Sequence, residues 1–272
     1  MVIPGRIVDT GTMALIRCDF FAESLALGTS MTVLLPQPSA AQVGVTGRDS
    51  DAPPPVLYLL HGLTDSDTAW TRYTSIERYA AAKGLAVVMP QVHRSFYSDE
   101  AYGGKFWTFL SDELPQIVQR FFRVSTRRED TFVAGLSMGG YGAFKWALRQ
   151  PARFAAAASL SGALDVAYIQ QNDRRPHMRE LTARVFADRV LAGGEDDLMH
   201  LAATLDPATL PRLMLRCGTE DHTLAQNKRF VQACERHGVA LDSGFGPGEH
   251  EWGYWDREIQ NVLDWFFTKT ES

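Results

Sequence analysis

Short apolar runs alternate along this chain with longer stretches of helical periodicity, and that alternation carries the fold prediction. Residues 13–21 (Met-Ala-Leu-Ile-Arg-Cys-Asp-Phe-Phe) and 31–35 (Met-Thr-Val-Leu-Leu) predict two strands rich in apolar and β-branched side chains. Residues 36–55 carry Pro, Gly, Ala, Ser and Asp without periodicity and predict a long exposed loop. Its flanks are each too short to fold alone, so it is not read as a domain boundary. Val56-Leu-Tyr-Leu-Leu60 and Leu85-Ala-Val-Val-Met89 are unbroken apolar runs, the signature of strands buried on both faces. Between them, residues 74–83 predict a helix closed by Gly84.

Residues 91–105 read as a polar, aromatic loop. Residues 106–122 place Phe106, Leu110, Leu114, Ile117, Val118 and Phe121 on one helical stripe, and Pro115 inside it predicts a kink or a shifted helix start. Residues 154–161 are rich in alanine, which suits helix equally well; their position in the alternation assigns them to a strand. Residues 165–211 break the rhythm and predict an insertion over the sheet edge. Residues 213–218 return to strand, 225–237 to helix before Gly238, 239–245 to a last strand, and 255–268 to an amphipathic terminal helix. The predicted class is α/β: a mostly parallel twisted sheet with helices on both faces, antiparallel N-terminal strands, and one domain over residues 1–272.

Within that alternation one junction stands out. Thr131-Phe-Val-Ala-Gly135-Leu-Ser137-Met-Gly139-Gly140-Tyr-Gly142 runs from a β-favouring stretch through glycines into the helix-forming Ala143-Phe-Lys-Trp-Ala-Leu148. G-x-S-x-G between a strand and a helix is the pattern of a nucleophile elbow, with small flanking residues because larger ones would clash on the tight turn. A serine hydroxyl needs a base in hydrogen-bond reach and an acid to orient that base. In this context the chain order is serine, acid, histidine.

The histidines after Ser137 are His177, His200, His222, His237 and His250. His250 lies in a glycine-rich loop between the last predicted strand and the last helix, where it reaches over the sheet's C-terminal rim. His237 ends a helix, His177 and His200 read as solvated, and His222 is expected to face away from its neighbour Asp221. Asp221 directly follows a buried strand and is the preferred acid, with Asp165 the runner-up. Glu220 is expected to point away, and Asp242 lies inside a strand. Backbone donors for an oxyanion are expected at Met138 and at Leu63, in the turn after His61-Gly62. His61 has no second ligand at short spacing, so no metal site and no cofactor are expected.

The composition of the 272-residue chain is that of an ordinary globular protein, at 45% hydrophobic residues. A net charge of −5 without a basic run argues against nucleic acid and lipid surfaces as partners. No apolar run is long enough to span a bilayer. The N-terminus lacks the pattern of a secretory leader. Cys18, Cys217 and Cys234 lack C-x-x-C spacing and suit core packing in a reducing compartment, so a cytoplasmic address is expected.

Leu59-Leu-His-Gly-Leu63, the stretch 103–122 with Glu113-Leu-Pro115, Ala134-Gly-Leu-Ser-Met-Gly-Gly-Tyr-Gly-Ala-Phe144 and Gly248-Glu-His-Glu-Trp252 together resemble the "putative esterase" family of α/β-hydrolases. That family includes esterase D, tributyrin esterases and S-formylglutathione hydrolases; the bacterial tributyrin esterases show the strongest likeness. The resemblance covers residues 13–267. It implies an α/β-hydrolase fold, a Ser137–Asp221–His250 triad and oxyanion donors at Leu63 and Met138. The 36–55 loop looks like an insertion relative to compact members. The implied activity is carboxylester hydrolysis, with S-formylglutathione hydrolysis or acyl transfer as alternatives.

Aromatic residues crowd the expected rim: Trp70, Tyr97, Tyr102, Trp107, Tyr141 and Trp252. Most are expected to pack in the core, with Trp107, Tyr141 and Trp252 as candidate pocket walls. No long apolar lid helix is visible, which favours acetyl to butyryl esters, acetylated sugars and aromatic esters among them, over long chains. The expected partner is a small-molecule ester; self-association into a homo-oligomer is left open.

Overall fold

The computed structural model describes residues 11–44, 46–48 and 50–268. Eight strands form one sheet: β1 (Gly11–Ala22), β2 (Leu27–Pro38), β3 (Val56–Leu60), β4 (Ala86–Pro90), β5 (Thr131–Leu136), β6 (Ala156–Leu160), β7 (Arg212–Gly218) and β8 (Asp242–Gly246). Their order is β1-β2-β4-β3-β5-β6-β7-β8. The β1–β2 and β2–β4 pairings are antiparallel and every other pairing is parallel. This is the α/β-hydrolase arrangement, and the predicted antiparallel opening is present.

Why the runs at 56–60 and 85–89 are unbroken is visible in the two cores. Val56, Tyr58 and Leu60 face one core while Leu57 and Leu59 face the other; Val88 and Val87 of β4 divide likewise. A strand covered on both faces keeps its period of two but presents apolar side chains at every position. On one face lie α1 (Ala69–Tyr73), α2 (Ile76–Lys83) and the terminal helix described below. On the other lie α3 (Phe106–Thr108), α4 (Leu114–Phe121), α5 (Met138–Arg149), α6 (Val166–Asn172), α7 (Pro176–Phe186), α8 (Leu198–Thr204) and α9 (Leu224–His237). The terminal helix α10 (Trp252–Phe266) buries Tyr254, Trp255, Ile259, Val262, Leu263 and Phe266. Gly84 closes α2 in the left-handed conformation at φ 60°.

Pro115 acts through a shifted helix start. It stands in the first turn of α4, and residues Phe109–Glu113 before it form a π-turn. The proline offers no N–H to the Ser111 carbonyl, which instead accepts a bond from Arg153 Nη2 at 3.2 Å. Residues 166–204 hold three short helices, and the first two line the cleft in front of Ser137. That stretch leaves from β6, an interior strand, so it stands over the strand ends. Among the described residues, no helix is long and apolar enough to cross a membrane. Cys217 and Cys234 are buried, Cys18 is half-buried, and all three are free thiols.

Buried charge is rare in this core, and Lys145 on α5 is the conspicuous case, with no exposure. Its ammonium donates to the Tyr97 carbonyl at 2.9 Å and Ser98 Oγ at 2.7 Å, and pairs with Asp196 at 2.5 Å. Burial pulls its pKa below the ordinary lysine value, and Asp196 pulls it back up. Removing one partner strands the other charge in low dielectric. Lys145→Met should therefore cost about 3–5 kcal/mol of stability, read as a lower denaturation midpoint in urea.

Candidate active site

The sharp turn at residue 137 comes from β5 delivering the chain directly into α5. Ser137 takes φ 53° and ψ −117°, a strained conformation for a side-chain-bearing residue. The turn is pinned on several sides. Ser137 N–H donates to the Leu160 carbonyl at 2.9 Å, and its own carbonyl accepts from Ala163 N–H at 3.0 Å and Tyr141 N–H at 3.1 Å. A Cβ at Gly139 would collide with the backbone carbonyls of Leu60 and His61. Only glycine lets α5 start this close to the end of β3.

The candidate base comes from the other side of the rim. His250 Nε2 lies 3.0 Å from Ser137 Oγ, and His250 Nδ1 lies 2.9 Å from Asp221 Oδ2. Asp221 Oδ1 also accepts Thr223 N–H at 2.7 Å and Thr223 Oγ1 at 2.8 Å. Burial raises the Asp221 pKa, but the His250 and Thr223 hydrogen bonds outweigh it and hold the carboxyl at about 2. With an ionised acceptor at Nδ1, the neutral imidazole carries its proton there and leaves a lone pair on Nε2 facing the serine.

Two supports of this arrangement were not anticipated. Trp255 Nε1–H donates to Ser161 Oγ at 3.1 Å, and its ring packs T-shaped against that of His250, with centroids 4.9 Å apart. Glu220, expected to point away, accepts Gly248 N–H at 2.7 Å and so ties the His250 loop to the end of β7. Gly248 stands at φ 153° with Tyr254 where a Cβ would be.

The candidate oxyanion donors border the same cleft as Ser137. Met138 opens α5, where the first-turn N–H groups have no intrahelical partner. Leu63 sits in a turn braced by Gly62 N–H to Asp65 Oδ2 at 3.1 Å. His61 anchors that turn from below. Its Nε2 accepts Val92 N–H at 3.2 Å, its Nδ1 meets the Gly62 carbonyl at 2.7 Å, and its carbonyl accepts the Tyr97 hydroxyl at 2.8 Å. Burial lowers the His61 pKa to about 4, so the ring is a neutral structural part.

Other expectations resolve differently. Asp165 caps α6 through Tyr168 N–H and pairs with Arg229 at 2.8 Å, so it is occupied elsewhere. Asp242 pairs with Arg216. Trp252 borders the cleft, while Trp107 and Tyr141 do not. Tyr141 lies one turn along α5, fully buried against Phe96, with its hydroxyl on the Asp196 carbonyl. Trp107 presents its ring to Lys145 and Arg149. Helical geometry turned both toward the core, which segment-level reading could not resolve. His177 borders the cleft, as does His222, whose ring packs 4.3 Å from that of His250. The cleft encloses about 890 Å³.

Residues 24–266 match the family model described as "Putative esterase". The chain belongs to this family. It is 28% identical to an acetyl esterase of Caldicellulosiruptor saccharolyticus over 93% of this chain and 98% of that protein. Among solved structures it is similar to the fluorophosphonate-binding serine hydrolase F of Staphylococcus aureus, in a substrate-bound state. The identity there is 32%, covering 95% of this chain and all of that one, with a TM-score of 0.84. An S-formylglutathione hydrolase of the same organism is 31% identical over 94% and 99% of the two chains, with a TM-score of 0.79. The protein is thus a hydrolase of the serine-esterase kind. Neighbours under 25% identical, ferulic acid esterases among them, add only the fold.

Proposed function

We propose that the esterase hydrolyses short-chain acyl esters, acetyl to butyryl, through an acyl-enzyme on Ser137. The observation that carries this reading is the unbroken relay from Ser137 Oγ through His250 to Asp221, at 3.0 and 2.9 Å. His250 Nε2 takes the hydroxyl proton as Oγ attacks the ester carbonyl, and the resulting oxyanion sits against the N–H groups of Leu63 and Met138. His250 returns the proton to the leaving alcohol. A water then repeats the attack on the acyl-enzyme, with His250 again as base, and frees Ser137.

The preference for short acyl groups and a polar alcohol rests on the cleft's composition. Phe96, Ile169, Met178 and Trp252 share its walls with Thr64, Asn172, Arg175 and Gln226. A long hydrocarbon chain would desolvate those polar groups without partners. Resemblance to an S-formylglutathione hydrolase at 31% identity supports thioester hydrolysis as the second reading. Kinetics on p-nitrophenyl esters from acetyl to decanoyl, with S-formylglutathione alongside, separate the two. The expected result is a kcat/KM that falls steeply beyond butyryl or hexanoyl. A dominant preference for S-formylglutathione would replace the ester reading, and acyl transfer to an added alcohol in place of water would reassign the enzyme as a transferase.

A further inference from the structure

His222 is an imidazole that the hydrolytic mechanism does not use, yet it stands beside the base. We propose that Asp221, His222 and His250 also form a binding site for a single Zn2+-class ion, and that its binding switches hydrolysis off. One ligand atom from each of the three residues lies within 4.8 Å of the others. His250 Nδ1 is 3.0 Å and His222 Nδ1 is 3.7 Å from Asp221 Oδ1, and an ion on that oxygen takes the place of the Thr223 Oγ1 hydrogen bond while the Thr223 N–H bond stays. Neighbouring ligand atoms of a tetrahedral zinc with bonds of about 2.0–2.2 Å are about 3.3 Å apart. The two measured separations bracket that spacing. The gap left to close is between the imidazoles, and the His222 side chain, 65% exposed, has room to turn. Water from the cleft supplies the fourth ligand. Two imidazoles and one carboxylate are a zinc donor set, whereas Mg2+ and Ca2+ call for oxygen ligands.

The ion acts through the tautomer of His250. In the hydrolytic arrangement Nδ1 carries the proton and Nε2 offers its lone pair to Ser137. A metal at Nδ1 needs that nitrogen's lone pair, so the proton moves by way of solvent to Nε2, with no net gain or loss of protons. Nε2 then carries an N–H toward Ser137 Oγ and has no lone pair with which to take the hydroxyl proton. The ion is an effector and not a cofactor. The site itself stands on geometry; the loss of turnover rests on His250 serving as the base proposed above.

The test has two arms. In the first, wild type hydrolyses p-nitrophenyl acetate while ZnCl2 is titrated, with MgCl2 as a control and EDTA added at the end. Zinc should inhibit reversibly, magnesium should not, and His222→Ala, which removes a direct ligand, should raise the half-inhibiting zinc concentration by at least the roughly 10- to 100-fold that loss of a ligand's supporting partner costs. In the second, calorimetry follows ZnCl2 binding to Ser137→Ala, which needs no turnover. One equivalent should bind, and Ser137→Ala/His222→Ala should bind far more weakly. Equal zinc inhibition with and without His222, or no difference between the two calorimetric titrations, overturns the proposal. If no ester is hydrolysed at all, the calorimetric arm still decides the site.

Discussion

Ser137→Ala is expected to lower kcat for p-nitrophenyl acetate by about a millionfold, and His250→Ala to cost nearly as much. The reason lies in the relay. Without Oγ there is no nucleophile for His250 to activate, and without Nε2 the hydroxyl at 3.0 Å keeps its proton. Each group works only through the other, so Ser137→Ala/His250→Ala should be little worse than either single change. The fold should survive both substitutions. Ser137 is held by backbone hydrogen bonds that alanine keeps, and relief of strain at φ 53° is not at issue because alanine inherits the same conformation. Matching thermal midpoints beside the rate loss would separate chemistry from unfolding. Residual turnover within about tenfold of wild type in Ser137→Ala would refute the acyl-enzyme mechanism.

Asp221→Asn should lower kcat by about ten thousandfold while leaving KM close to wild type. Here the surroundings decide which way the new amide faces. Oδ1 of the native residue accepts two hydrogen bonds from Thr223, at 2.7 and 2.8 Å, so the asparagine oxygen must take that position. Its NH2 then points at His250 Nδ1, which can pair only as an acceptor. The imidazole proton is driven to Nε2, and the lone pair facing Ser137 disappears. Asp165→Asn tests the competing acid. Its carboxylate holds Arg229 and the start of α6, so the change should weaken that corner and leave turnover near wild type. If Asp165→Asn were the more damaging of the two, the assignment of the acid would be wrong.

The parts of the site legible in the chain share one property: they are set by local geometry. A serine between glycines at a strand-to-helix junction has few other conformations open to it, and the structure holds it at the predicted turn. His250 and Asp221 were readable because each follows a strand that ends at the same rim of a parallel sheet. The illegible parts depend on contacts between distant segments. Lys145 sits within a run that reads only as helix-forming, and only the approach of residues 97, 98 and 196 makes its burial tolerable. His222 was expected to face away from its neighbour. The tight turn after β7, with Asp221 N–H on the Gly218 carbonyl at 3.3 Å, instead leaves Asp221 buried behind His250 and the His222 ring bordering the cleft against the His250 ring. Glu220 looked like a surface charge until the His250 loop came down onto it.

Strand and helix periods, glycine at obligatory turns and the order of serine, acid and base are one-dimensional signals, because backbone sterics and burial act on neighbouring residues. From them follow the α/β class, the antiparallel opening of the sheet and the elbow at Ser137. Which aromatic rings border the cleft, what holds the His250 loop down and how the Leu63 turn is braced are matters of packing between segments far apart in the chain. Side-chain direction there depends on helix phase and on what already fills the space. Trp252 faces the cleft and Tyr141 the core for that reason alone.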